Sequence, residues 1–127
     1  MRKIGPKNSK QELRVRELIM SLGYKFISHD KNLPGKPDFS FPKYKRVIFV
    51  NGCFWHGHKK CKRAKLPLTN RLFWRNKIEI NIIKDKKTYI SLRRDEWKYL
   101  IIWQCEIQQK NIQILKNKIK DLLRNAK

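Results

Sequence analysis

Apolar residues recur at helical spacing near the start of the chain, and they predict a first helix. Ser9 and Glu12 form the Ser-x-x-Glu pattern of a capping box, which places the start of the helix at Ser9. Gly23 is expected to end this helix after Leu22, because glycine readily adopts the left-handed conformation found at helix C-termini. The apolar side chains expected to face inward are Leu13, Leu18, Ile19 and Leu22.

Two further helices are predicted in the second half of the chain. Residues 70–94 carry apolar side chains throughout, and Thr69 is a candidate cap. This segment is longer than most globular helices, so a break into two helices is left open. Residues 109–124 are expected to form an amphipathic helix, because they carry apolar residues at i, i+3, i+7 and i+10, namely Ile112, Leu115, Ile119 and Leu122.

Short runs rich in β-branched and aromatic residues predict four strands, at residues 24–28, 38–41, 46–51 and 97–103. Two prolines and a glycine indicate a turn at residues 32–37, whereas residues 52–68 lack periodicity and are expected to be irregular. The element order α-β-β-β-α-β-α predicts an α/β fold, with a mixed central β-sheet flanked by helices. Functional groups at the ends of the middle strands should then meet at one edge of the sheet.

Length and composition predict one folded domain with a strongly basic surface. The chain has 127 residues, which suit a single domain over residues 1–127, with residues 1–8 as a basic arm and residues 109–127 as a C-terminal helix. Lys and Arg number 32 against 10 Asp and Glu, a formal net charge of +22. Because 11% of the residues are aromatic, the chain should bury a core rather than form a disordered tail. The charge predicts a polyanionic partner but does not choose between DNA and RNA.

Nothing in the sequence resembles an export signal or a membrane span. The longest apolar runs, at residues 47–50 and 100–103, are far shorter than the roughly 20 residues that cross a bilayer. The N-terminus lacks the apolar segment of a signal peptide. Three cysteines cannot all pair within one chain, which favours a reducing compartment. We therefore expect a cytoplasmic protein with no membrane partner.

The positive charge is concentrated in the middle of the chain, where no acidic residue occurs between Asp38 and Glu79. The cations of this stretch are Lys43, Lys45, Arg46, Lys59, Lys60, Lys62, Arg63, Lys65, Arg71, Arg75 and Lys77. The aromatic residues interleaved with them are Phe54, Trp55, Phe73 and Trp74. Cations bind phosphates, and aromatic rings stack on bases or wedge them apart. The combination predicts a nucleic-acid interface rather than a merely solvated basic face.

Three cysteines and a nearby histidine supply a candidate zinc site. The expected ligands are Cys53, His58, Cys61 and Cys105, a set that suits tetrahedral Zn²⁺. His58 is preferred over His56 because its separation from Cys61 resembles that of a metal-binding loop. Buried free cysteines are the alternative. His56 is then available as a general acid or base near neutral pH.

Carboxylates are scarce, so each one is informative. Asp38 begins a predicted strand, and the backbone carbonyl of Val50 ends the next one, so the two could share a Mg²⁺ ion. Glu12 and Asp85 also have plain structural explanations. Glu12 could simply cap the first helix, and Asp85, which lies among lysines, could be a solvated surface residue.

Four segments of the chain resemble the very short patch repair (Vsr) endonucleases. Residues 33–39 (LPGKPDF) resemble their LPGxPDF segment, and residues 47–56 (VIFVNGCFWH) resemble their VIFxxGCFWH segment. Residues 73–85 resemble their FWxxKIxxNxxxD pattern, and residues 97–106 resemble their WxxLIxWxCE pattern. The similarity covers most of the chain, and its motifs are specific in combination.

The resemblance implies a restriction-endonuclease-like fold with a zinc-bound loop. It implies a DNA endonuclease that makes a Mg²⁺-dependent nick 5′ to the thymine of a T·G mismatch, in very short patch repair after deamination of 5-methylcytosine. The implied partner is double-stranded DNA with that mismatch, and mismatch-repair proteins are further candidate partners. A monomer associated with a prokaryotic nucleoid is expected.

The resemblance also implies roles for individual residues. Asp38 would be the Mg²⁺ ligand, helped by the Val50 carbonyl, and His56 would be the general acid or base. Glu12 and Asp85 would orient active-site groups and water.

Further roles follow from the same resemblance. Asn51 stands where the best-known members carry a histidine, and an asparagine can bind a phosphate but cannot transfer protons. The implied wedge beside the mismatch consists of Phe54, Trp55 and Trp74. The implied structural zinc ligands are Cys53, His58, Cys61 and Cys105.

Two other functions remain open at this point. One is a restriction-like endonuclease that cuts matched DNA, and the other is a non-catalytic zinc-containing module that binds nucleic acid. A binding module would need neither the Pro37–Asp38 pair nor His56, which argues against the second.

Overall fold

The computed structural model describes residues 10–124. The helices are α1 (Lys10–Ser21), α2 (Arg71–Arg94) and α3 (Ile112–Arg124), and the strands are β1 (Ile27–Ser28), β2 (Phe39–Phe41), β3 (Arg46–Asn51) and β4 (Lys98–Trp103). The predicted order of elements is confirmed. The expected Ser9 cap and the basic arm at residues 1–8 lie outside the described residues.

The four strands form one mixed sheet in the order β1-β2-β3-β4. The β1–β2 and β2–β3 pairs are antiparallel, and β3 runs parallel to β4. Phe39 faces Ile48 across one pair, and Asn51 faces Trp103 across the other. The start of β2 therefore lies at the same edge as the ends of β3 and β4, which confirms that the middle strands converge there.

Helices cover both faces of the sheet. On one face, α1 and α3 enclose the main core, made of Val15, Leu18, Ile19, Phe39, Phe41, Ile48, Ile102, Leu115, Ile119 and Leu123. On the other face, Val47 and Phe49 of β3 pack against Leu92 of α2. Neighbouring residues of a strand point to opposite faces, which explains why β3 is buried on both sides. The predicted α/β class is confirmed, and kinship with restriction endonucleases stays a prediction.

The first helix differs from the prediction in one inward position. Leu13 is 45% exposed, because α1 turns the face with Glu12, Val15 and Ile19 toward the sheet. Gly23 does follow the helix in a left-handed conformation, with a φ of 86°.

The second helix is continuous over 24 residues, so a break within it is wrong. Its sequence contains neither proline nor glycine, the usual causes of a kink. The expected cap at Thr69 is also wrong, because Asn70 occupies the N-cap position in a left-handed conformation without a side-chain capping bond. Within residues 10–124, no helix is both long and apolar enough to cross a membrane.

Three other elements are shorter than predicted, because each begins later in the chain. The first strand spans Ile27–Ser28 only, since its partner β2 has three residues and is followed by Pro42, which lacks an amide hydrogen. The fourth strand begins at Lys98, because the Trp97 amide donates to the Leu92 carbonyl at the end of α2. The last helix begins at Ile112, after a 3₁₀ turn at Gln109–Asn111.

Candidate active site and metal centre

Carboxylates and a histidine meet at the edge where β2 begins and β3 ends. Asp38 precedes β2, and its Oδ2 accepts a hydrogen bond of 2.7 Å from the Val50 amide of β3. Glu12, on the inward face of α1, is 1% exposed. The Nε2 atom of His29 lies 3.0 Å from Glu12 Oε1 and 3.8 Å from Asp38 Oδ1. These three side chains form a group that could hold a metal ion, since all the ligand atoms lie within 4.8 Å of one another.

Burial controls the protonation of Asp38. It raises the pKa of this carboxyl from 3.8 to about 6, and the negative charge of Glu12 acts in the same direction. The Val50 amide and His29 oppose the rise in pKa because they favour the ionised form. A carboxylate held in such surroundings is suited to accept a cation.

His56 forms a second polar group with α2. Its Nδ1 atom lies 2.7 Å from Asp85 Oδ2, so the solvated role considered for Asp85 is not what the structure shows. One turn further along α2, the Tyr89 hydroxyl accepts a long hydrogen bond of 3.5 Å from Asn51 Nδ2. Burial raises the pKa of Tyr89 to about 12, so this phenol stays protonated at neutral pH. Because Asp85 holds its Nδ1 atom, His56 is oriented by a carboxylate, as a general acid or base requires.

The predicted zinc ligands come together. Ligand atoms of Cys53, His58, Cys61 and Cys105 all lie within 4.8 Å of one another, and the three cysteines are free thiols. Cys53 follows β3 and Cys105 follows β4, so the parallel pairing of these strands brings distant parts of the chain together. Three sulfur atoms and one imidazole nitrogen fit a tetrahedral metal. The cluster could therefore bind a metal ion.

Hydrogen bonds and stacking support this cluster. The Cys105 amide donates to Cys53 Sγ over 3.4 Å, and the His58 ring stacks on Trp103 with 4.0 Å between centroids. Burial raises the pKa of Cys53 to about 12. The pKa of Cys61 is lowered, because hydrogen bonds from the Arg63 amide and the other two thiols outweigh the effect of desolvation.

Three aromatic side chains form an open triangle beside His56. Phe54, Trp55 and Trp74 have ring centroids 5.5–5.6 Å apart in every pair, at steep angles to one another. Trp55 is 48% exposed, and the ring of Phe73, which is also exposed, packs edge-on against Trp74. Asn81 of α2 donates to the Trp55 carbonyl over 2.9 Å, which fixes the backbone under the triangle.

Eight of the eleven predicted cations lie on the loop or at the start of α2, the two segments that carry the triangle, whereas Lys43 and Lys45 lie in the turn between β2 and β3, at the opposite end of these strands. Lys59, Lys60, Lys62, Arg63, Lys65, Arg71, Arg75 and Lys77 are exposed on the loop and the first turns of α2. Arg46 was expected on the same surface, but it is buried. Its guanidinium donates to the carbonyls of Leu122 and Tyr44, so it joins the sheet to α3 instead of facing solvent.

Sequence reasoning missed three residues of the site. His29 precedes the LPGKPDF segment, but no spacing rule connects it to Glu12 or Asp38. Tyr89 is four residues after Asp85, which is the one helical-spacing signal that could have placed it beside the site. Gly57 was passed over as part of an irregular loop, although its φ of 58° is the kind of conformation that favours glycine.

Comparison with known proteins points to one family. A family model described as DNA mismatch endonuclease Vsr matches residues 1–63. The chain is 42% identical to the type II nicking enzyme V.XorIIP of Xanthomonas oryzae pv. oryzae, over 84% of this chain and 78% of the relative. It is 37% identical to the type II nicking enzyme V.NmeAIP of Neisseria meningitidis, over 100% of this chain and 89% of the relative. It is 38% identical to the DNA mismatch endonuclease Vsr of Escherichia coli, over 85% of this chain and 69% of the relative.

These relatives identify the chain as a DNA endonuclease. The carboxylate edge (Glu12, His29 and Asp38), the His56–Asp85 pair and the exposed cations near the aromatic triangle agree with that class. The chain belongs to the DNA mismatch endonuclease Vsr family.

Proposed function

We propose that this endonuclease nicks one DNA strand 5′ to the thymine of a T·G mismatch, in very short patch repair after deamination of 5-methylcytosine. The observation that carries the proposal is the continuity of the aromatic triangle with His56. Phe54 and Trp55 directly precede His56 in one loop, and Trp74 and Asp85 both belong to α2. A rigid connection of this kind would fix the distance between inserted rings and the scissile phosphate.

The triangle supports selection of a mismatch. Inserting rings between base pairs costs a few kcal/mol of unstacking, and the cost is lowest where pairing is already weak. The surrounding cations attract any DNA backbone and cannot make this choice. Mismatch preference would therefore come from Phe54, Trp55 and Trp74, whereas affinity would come from the charge.

The carboxylate edge fits a hard cation. Asp38 and the nearby Glu12 offer carboxylate oxygens, and the hydrogen bond from the Val50 amide to Asp38 brings the backbone of β3 beside them. Oxygen donors of this kind suit Mg²⁺, with Asp38 and the Val50 carbonyl as the residues that would hold it. Bound Mg²⁺ would supply charge stabilisation at the phosphate and at the leaving oxygen.

His56 would transfer the proton in the reaction. Asp85 holds Nδ1, which leaves Nε2 to exchange a proton with water or with a DNA oxygen. Asn51 would hydrogen-bond a phosphate oxygen, and Glu12 would orient Asp38 or a water molecule. A positioned acid or base of this type contributes about 10²–10⁴-fold to a reaction rate.

The Cys/His cluster would hold a structural Zn²⁺ that orders the loop. Four protein donors would fill the coordination shell of Zn²⁺ and leave no position for substrate, as in structural zinc sites. The ion would stiffen the segment between the cluster and the triangle. All the groups used so far belong to one chain, so a monomer would suffice. The role of mismatch-repair proteins as partners stays a prediction.

A nicking assay with paired substrates tests the proposal. Duplexes of identical sequence with a T·G, another mismatch or a matched pair are incubated with and without Mg²⁺. Nicking 5′ to the thymine of T·G alone, and only with Mg²⁺, is the expected result. Equal cutting of matched DNA would indicate a restriction-like nuclease, and binding without cleavage would indicate a non-catalytic module.

A matched pair of variants tests the active-site residue. Asp38→Asn should lose nicking and retain DNA binding, because it removes the negative charge while keeping the side-chain shape. Asp95→Asn, an exposed position after the far end of α2, should nick like the unmodified protein. Full activity in Asp38→Asn would show that the Asp38 carboxylate and the site around it take no part in the reaction.

A further inference from the structure

We propose that His29 is a direct ligand of the cation held by Asp38, and that it shifts the metal preference of the site from Mg²⁺ toward Mn²⁺. The inference rests on the proposed function, since it concerns the same metal site. Neither the family comparison nor the sequence motifs assigns a role to His29.

The position of the imidazole is the first observation. One ring atom, His29 Nε2, faces both carboxylates, at 3.0 Å from each Glu12 oxygen and 3.8 Å from Asp38 Oδ1. Neighbouring ligands of an octahedral ion with bonds of about 2.1 Å are about 3.0 Å apart. The imidazole nitrogen therefore lies at nearly the separation from each carboxylate that two ligands of one ion would have.

The backbone of His29 is the second observation. Its φ is 48°, in the left-handed region that non-glycine residues seldom occupy. Its amide donates to the Asp38 carbonyl over 3.1 Å, which holds the residue at the end of the β1–β2 pair. Five other described non-glycine residues share a positive φ, so the informative feature is the hydrogen bond from the His29 amide to Asp38, which fixes where the imidazole begins.

The residue after His29 fixes the turn from its other side. Asp30 is buried, and its carboxylate accepts hydrogen bonds from the Ser40 hydroxyl at 2.9 Å and the Asn32 amide at 3.0 Å. The backbone that carries the imidazole is thus anchored through β1, β2 and the following turn, and the hydrogen bond to Glu12 holds the ring itself. An anchored ring loses little conformational freedom when it binds a metal, which favours direct ligation.

The chemistry of the donor set gives the expected preference. Carboxylates suit Mg²⁺ and Mn²⁺ alike, whereas imidazole nitrogen is a better ligand for transition metals than for Mg²⁺. Replacing one oxygen by nitrogen should therefore favour Mn²⁺. Mn²⁺ would not displace Zn²⁺ from the thiolate cluster, because it binds such donors more weakly.

Mn²⁺ itself is the probe for the test. Protein that retains its zinc is titrated with Mn²⁺ and the free ion is measured by electron paramagnetic resonance, with Mg²⁺ added in competition. His29→Gln keeps a polar group beside Glu12 but removes the ring nitrogen. We expect this variant to bind Mn²⁺ at least about tenfold more weakly, while its Mg²⁺ affinity changes much less.

A second measurement detects the bond between the metal and the ring nitrogen directly. Electron spin echo of Mn²⁺ bound to the unmodified protein should show coupling to a directly bonded ¹⁴N nucleus. The coupling should persist in His56→Gln and disappear in His29→Gln. Absence of nitrogen coupling in the unmodified protein, or equal losses of Mn²⁺ and Mg²⁺ affinity in His29→Gln, would overturn the inference. Failure of the proposed function would be seen separately in the nicking assay, as equal cutting of matched DNA or as binding without cleavage.

Discussion

Gly57 should tolerate no side chain, because it lies between His56 and His58 with its backbone pressed against α2. A Cβ atom at this position would lie 2.8 Å from Ile82 Cδ1 and 2.9 Å from Ile78 Cγ2. The φ of 58° adds a conformational penalty for any L-residue of about 1–2 kcal/mol. Overpacking of a formed interior costs about 1–3 kcal/mol more. Gly57→Ala should therefore lower the free energy of unfolding by about 2–5 kcal/mol.

Gly23→Ala separates the two contributions to this cost. Gly23 also has a positive φ, of 86°, but a Cβ there would meet nothing within 4 Å. Gly23→Ala should therefore lower the free energy of unfolding by the conformational penalty alone, about 1–2 kcal/mol. The difference between the two variants then measures the steric contact of the loop with α2.

Urea unfolding monitored by far-ultraviolet circular dichroism provides the stabilities. Adding Ile82→Val to Gly57→Ala removes the nearer methyl group, so the double variant should recover on the order of 1 kcal/mol relative to additivity. Equal losses in Gly57→Ala and Gly23→Ala, or strict additivity with Ile82→Val, would refute the tight contact. Nicking by Gly57→Ala should fall by about 10²-fold even where it is folded, because His56 is displaced.

Three further predictions concern the site. Asp85→Asn removes a charge-assisted hydrogen bond to His56 worth about 1.5–3 kcal/mol, so single-turnover nicking should slow about 10- to 150-fold with unchanged DNA affinity; a loss of affinity instead would assign Asp85 to binding. Trp55→Ala should reduce the preference for T·G over matched DNA while the salt dependence of binding stays constant, as measured by fluorescence anisotropy. The pKa of Asp38 is raised to about 6 in the folded protein, which favours the protonated carboxyl. The stability that this protonated form contributes is complete below pH 3.8 and is lost as pH rises through 6. Asp38→Asn should therefore be more stable than the unmodified protein at pH 7, by up to about 3 kcal/mol without added Mg²⁺, and the gain in unfolding free energy should vanish near pH 4.

The fold was largely predictable because its elements carry strong local patterns. The run from Arg46 to Asn51 is apolar enough to identify a strand buried on both faces, and its bounds were predicted correctly. Leu13 was misplaced because the apolar stripe of α1 is narrow and includes a buried carboxylate, Glu12, which no hydrophobic pattern includes. The order of elements could be predicted, but their pairing register depends on contacts between distant segments.

The site was less predictable, since its residues come from separate elements. The convergence of Asp38 and Val50 followed from strand order, and the cysteine spacing indicated the metal cluster. His29 could not be placed in this way, because its role depends on the two carboxylates that face its ring. Helical spacing could place Tyr89 near Asp85, but its hydrogen bond to Asn51 joins two distant segments. Arg46 was misplaced for the reverse reason, since its charge suggested solvent whereas the Leu122 carbonyl, in the last turn of α3, accepts its hydrogen bond.

The parallel pairing of β3 with β4 imposes an order on how the protein becomes active during synthesis. The loop after β3 begins at Cys53, whose amide donates to Gln104 and whose sulfur accepts from Cys105, both beyond β4. A nascent chain that has not yet produced these residues carries the cations and the aromatic rings of the loop but lacks the contacts that order them. Contacts between such distant residues form late, because a long segment must first be closed. The loop that carries the aromatic rings therefore becomes ordered only when the last strand joins the sheet.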